Sequence, residues 1–177
     1  MRRLVMAAAL LLCTSTAAAE ERAPPQQDRR PQAWQAARWG MTAEQIIQAF
    51  PGAQPRQDAA SDGYALRAFI PSYRIASFDY EVAFHFDGRG RLARIVIGPA
   101  LVVQCTSQMF DSLAGPLTHK YGAPVSEIRK SLVDRELSWR TSQTLVTLKQ
   151  YEWGIAFVHS TCWLSYTRLA DEDMDKL

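Results

Sequence analysis

From Ser77 to Phe86 the chain alternates without a break: Phe78, Tyr80, Val82, Phe84 and Phe86 are large and apolar, while Ser77, Asp79, Glu81, Ala83 and His85 stand between them. On a helix those five large side chains would scatter around the axis; on a strand they line one face. The segment is therefore a strand with one side turned to a core, and a strand needs neighbours to take up its backbone donors and acceptors. Tyr64 to Ile70, closed by Pro71, supplies one. Asp87-Gly88-Arg89-Gly90 makes a turn that returns the chain through Leu92 to Ile97, which supplies the other.

A helix precedes this meander. Thr42-Ala43-Glu44-Gln45 has the form of a capping box, Ala43, Ile46, Ile47 and Phe50 share one face, and Pro51-Gly52 stops the run. The order then recurs. Met109, Phe110, Leu113, Leu117 and Tyr121 follow three- and four-residue spacing, with His119 and Lys120 in the last turn and Gly122-Ala123-Pro124 beyond it. Gly115-Pro116 predicts a kink or two short helices there. Further strands are expected at Leu137 to Thr141, Thr144 to Lys149 and Ile155 to Tyr166. The predicted fold is two-layer α+β, with helices packed on one face of an antiparallel sheet, arranged as two helix-then-strands units in tandem.

The N-terminus reads as a leader. Met1-Arg2-Arg3 is positive, Leu4 to Leu12 is apolar, and Ala17-Ala18-Ala19 precedes Glu20 as a cleavage signature, so residues 1–19 are expected to be a signal peptide, too short in its apolar run to span a bilayer. Leu12 before Cys13 is not the small residue that lipoprotein processing takes, so acylation at Cys13 is the lesser reading. Residues 20–33, rich in proline, glutamine and charge, predict a flexible linker. An α+β domain is expected over 34–170, with halves at 34–100 and 101–170, followed by an acidic tail at 171–177. Loss of Arg2 and Arg3 with the leader leaves basic and acidic side chains equal at 18 each. A neutral chain lacks the footprint of a general nucleic-acid binder.

Export places the two remaining cysteines, Cys105 and Cys162, where disulfides persist, and one bridge between them is the expectation. Neither sits in a C-x-x-C pair or near a histidine pair, so no metal site is predicted, and no cofactor. The lone Gly88-Arg89-Gly90 lies between strands and reads as a hairpin turn. No nucleophile elbow, phosphate loop or zinc-protease motif occurs. The best catalytic candidates are Asp79, Glu81 and His85 on the polar side of the long strand, where two carboxylates and an imidazole are the parts for acid–base or metal chemistry. His119 reads as a helix-terminal residue and His159 as a partly buried strand residue. Arg89, Arg91 and Arg94, at and after the hairpin tip, are candidates for meeting an anionic group. Five tryptophans provide binding material, though most are expected in the core.

Gly40-Met41-Thr42-Ala43-Glu44-Gln45-Ile46 and Phe84-His85-Phe86-Asp87-Gly88-Arg89-Gly90-Arg91-Leu92 resemble the SmpA/OmlA-like domain of an outer-membrane assembly lipoprotein. The pattern is also similar to the β-lactamase inhibitory protein architecture, over roughly residues 39–97. The resemblance implies helical segments packed on antiparallel sheet and a binding role in the envelope; it carries over no functional residues. The expected function is a periplasmic or secreted non-catalytic binding module contacting an envelope protein. The alternatives are an envelope enzyme acting through Asp79, Glu81 and His85, or an assembly factor tethered at the outer membrane.

Overall fold

A computed structural model describes residues 32–100, 104–131, 134–153 and 159–169. The leader, all but the last two residues of the linker, and the tail lie outside them. The chain runs β1 (Gln32–Trp34), β2 (Ala37–Arg38), α1 (Ala43–Ala49), β3 (Gln54–Pro55), β4 (Ala65–Ile75), β5 (Phe78–Phe86) and β6 (Leu92–Pro99). It continues through α2 (Ser107–Tyr121), β7 (Ser126–Arg129), β8 (Arg135–Arg140), β9 (Thr144–Trp153) and β10 (His159–Arg168). β1 and β2 form a small hairpin. The other eight strands form one antiparallel sheet in the order β3-β4-β5-β6-β10-β9-β8-β7.

This arrangement overturns the two-layer α+β expectation. Strand takes 51% of the described residues and helix 18%, so the fold is mostly β. Eight strands spaced at about 4.8 Å make a sheet about 34 Å across, and two helices of seven and fifteen residues do not amount to a second layer over it. The miss has a local origin. β3 and β7 are short, lack alternation and are exposed along their whole length, so only backbone pairing identifies them. β4 also continues past Pro71. The bonded length of β3 reaches only Ala68 and Phe69, so the amide that Pro71 lacks is not needed on that side, and the register shifts between Ile70 and Tyr73.

The long alternation behaves as its pattern requires. Tyr80, Val82, Phe84 and Phe86 are fully buried, while Asp79 is exposed and Glu81, Ala83 and His85 are half-buried on the other side. One core collects these residues with Ile95, Ile97, Val146, Leu148, Leu164 and Tyr166 of the sheet, Trp34 and Trp39 from the N-terminal segment, and the buried residues of both helices. Trp34 stacks on Phe50 at 5.6 Å and meets Tyr73 edge-on at 5.1 Å, so β1, α1 and β4 share one aromatic contact.

The Thr42 capping box is present: Thr42 Oγ1 accepts from Gln45 N–H and Gln45 Oε1 accepts from Thr42 N–H. α2 starts at Thr106, whose Oγ1 accepts from Met109 N–H, and ends at Gly122 with φ 84. Of the two outcomes expected at Gly115-Pro116, a kink or two short helices, the second does not occur. Both residues sit on the exposed side of a continuous helix, which gives up the bond that Pro116 has no N–H to make.

Cys105 and Cys162 form a disulfide, Cα–Cα 5.4 Å, that ties the head of α2 to β10. Both are buried. Gln150, fully buried, donates to Cys105 C=O at 2.7 Å, and Ser160 Oγ donates to the same oxygen at 2.9 Å. Arg135 Nε in turn donates to Gln150 Oε1 at 2.9 Å, with its guanidinium 3.8 Å above the Phe110 ring. The bridge is thus embedded in a satisfied polar network. No helix among the described residues is long and apolar enough to cross a membrane.

Candidate functional site

The side of the sheet facing away from the core is set by register. Opposed residues of antiparallel strands share a face, so Ile128 of β7, Glu136 of β8, Lys149 of β9 and Trp163 of β10 form one row, which Gly98 of β6, under the Trp163 ring, and Glu81 of β5, opposite Gly98, continue across the molecule. Trp163 lies at its centre and is 39% exposed, whereas Trp34, Trp39 and Trp139 are buried.

Two neighbours fix this indole. Gly98 offers no side chain, and the Trp163 ring occupies the space where a Cβ would stand. Trp163 Nε1 donates to Tyr151 Oη at 3.1 Å. Lys149, opposite Trp163, holds Glu136 at 3.6 Å and lies 5.9 Å from the Tyr151 ring. A groove of about 770 Å³ on this surface is lined by Trp163, Tyr151, Lys149, Arg94 and Lys130 together with Asp62 and Asp134. Arg94 lies 4.3 Å above the Tyr64 ring and makes no ion pair among the described residues. The outcome is an exposed indole hydrogen-bonded to a half-buried tyrosine, in a groove that also holds cations. Tryptophan, tyrosine and arginine are the side chains that most often dominate protein interfaces.

The catalytic candidates lie on the same face without converging. Asp79 is held by Arg74 through two contacts, 3.1 Å from Nε and 2.9 Å from Nη2. Glu81 is 3.8 Å from Arg56. His85 stands opposite Leu66 on one side and Arg94 on the other. Burial lowers its pKa, the Arg94 charge lowers it further, and Asp58 opposes both, so the ring is neutral at physiological pH. Among the described residues no three histidine, cysteine or acidic side chains are grouped to hold a metal ion.

The three arginines separate. Arg89 is exposed on the turn, where its N–H and that of Arg91 both donate to Asp87 Oδ1 at 2.9 Å. Arg91 Nη1 reaches Gly40 C=O at 3.3 Å. Only Arg94 belongs to the groove. His119 is exposed near the end of α2, and the side chain of His159 lies outside the described residues. Sequence reasoning did not single out Trp163 or Gly98, because their pairing depends on a register across β6 and β10 that no local pattern carries.

Comparison with protein-family models, with curated proteins and with solved structures found no match.

Proposed function

We propose that the chain is an exported binding module that holds an envelope protein on the open face of its sheet, with Trp163 at the centre of the contact. The observation that carries this reading is the seating of Trp163: an exposed indole laid over Gly98 and tied to Tyr151 has already lost its rotamer freedom, so a partner meets a preorganised platform. Arg94, which lines the same groove and makes no ion pair among the described residues, suits a partner segment that presents an acidic side chain next to an apolar one. The leader signature over residues 1–19, the Cys105–Cys162 bridge and the resemblance to envelope binding domains support the compartment.

The test separates binding from folding. Trp163→Ala removes the platform, and Gly98→Ala pushes the ring from its seat at a position whose φ any residue adopts. Partner recovered by affinity purification after in-cell crosslinking should fall about tenfold or more in both variants. Their thermal midpoints should stay within a few degrees of the parent. Undiminished recovery with both variants would contradict the proposal.

A further inference from the structure

The two edges of the sheet differ. β3, at one end, is two residues long and closes with Pro55. β7, at the other, has four residues, no proline, and no strand on its outer side among the described residues. All four are exposed, and two large apolar side chains lie at this edge: Ile128, 46% exposed, and Val125 just before the strand, 66%. An edge of this kind is a template for another strand.

The phase of the edge follows from one bond. Lys130 N–H donates to Asp134 C=O at 2.9 Å, so Ser126, Ile128 and Lys130 direct their backbone groups at β8. Glu127 and Arg129 direct theirs outward. Val125 N–H turns back to Ser138 C=O and ends the alternation. An incoming antiparallel strand must therefore bond through Glu127 and Arg129.

We propose that β7 pairs with β7 of a second copy of this chain, joining two sheets into one across a twofold axis. Three registers suit the phase near the centre of the strand. Two of them set Glu127 against its own copy or Arg129 against its own copy, like charge on like. The third sets Glu127 opposite Arg129 twice over and places Ile128 against Ile128 in a close, non-hydrogen-bonded pair. The sequence Glu127-Ile128-Arg129 is thus self-complementary in backbone phase, charge and apolar contact together. The joined sheet is continuous on the open face, where Ile128 shares a row with Trp163. Seven strand spacings would separate the two indoles, about 34 Å along the sheet. A partner with two contact segments would meet both. The inference stands on β7 alone and does not need the Trp163 reading to hold.

The test is sedimentation of the full chain over a concentration series, with charge exchanges at exposed positions. The parent should dimerise reversibly. Glu127→Arg or Arg129→Glu should each weaken dimerisation by about tenfold or more, since both paired positions become repulsive. The double exchange should restore it, and an equimolar mixture of the two single variants should form mixed dimers. Under oxidising conditions Ile128→Cys should give a covalent dimer, because that residue meets its own copy at a Cα separation a disulfide spans. A parent that stays monomeric to about 1 mM, or a dimer indifferent to both charge exchanges, would overturn the proposal. So would a monomer whose β7 pairs only with peptides of other sequence.

Discussion

Phe84 and His85 are adjacent in sequence and face opposite sides of the sheet, which makes them a direct check of how the pleat lies. Phe84 is fully buried, 5.3 Å from the Phe50 ring, and Phe84→Ala should cost about 3 to 5 kcal/mol. His85→Ala, on the half-buried outer face, should cost far less, near 0.5 kcal/mol. Paired denaturation curves measure both; equal losses would mean the register is wrong. His85 also carries a pH signature. Its folded pKa is depressed by burial and by Arg94, so the unfolded chain takes up the proton first as pH falls below about 6.5. That contribution to stability is complete above the unfolded value and is lost as pH falls through the folded one. Between pH 7.5 and 5 the parent should therefore lose more stability than His85→Gln, read as the shift in denaturation midpoint. The facing of these residues was legible from alternation alone. The seating of Trp163 was not, since Gly98 and Trp163 are far apart in sequence and become neighbours only through β6–β10 pairing.

At the scale of elements, legibility followed the strength of the local signal. The capping box at Thr42, the apolar face of α2 and the hairpin after Phe86 are written in adjacent residues and form as expected. β1, β3 and β7 carry no periodicity; β3 and β7 are held by backbone bonds to longer strands and β1 by the two-residue β2, so no local pattern marks any of them as a strand. Two prolines were overweighted for one reason: their local cost is small where the missing bond faces open space, as at Pro71 in β4 and Pro116 in α2. The disulfide is the element-level link read from two surviving thiols. It joins residues 57 apart, and Cys105→Ser with Cys162→Ser should cost up to about 4 kcal/mol, measured as the difference in unfolding free energy. Because Gln150 and Ser160 both donate to Cys105 C=O, the loss should concentrate at the junction of α2 with β9 and β10, visible as faster amide exchange there. A double variant as stable as the parent would contradict that role.

For the whole molecule, pairing of β6 with β10 turns two runs of strands into one sheet with a covered face and an open one. The covered face is the core; the open face presents Trp163, Tyr151 and Arg94 around a groove. Site-specific photocrosslinking in cells that express the protein tests the assignment most directly. A photoreactive residue at Ser165, two positions from Trp163 on the open face, should give a discrete adduct to an envelope protein, and Gly98→Ala should abolish it. The same group at exposed Gln108 on α2 should give none. An adduct from Gln108 with none from Ser165, or a Ser165 adduct indifferent to Gly98→Ala, would contradict the open face as the binding surface.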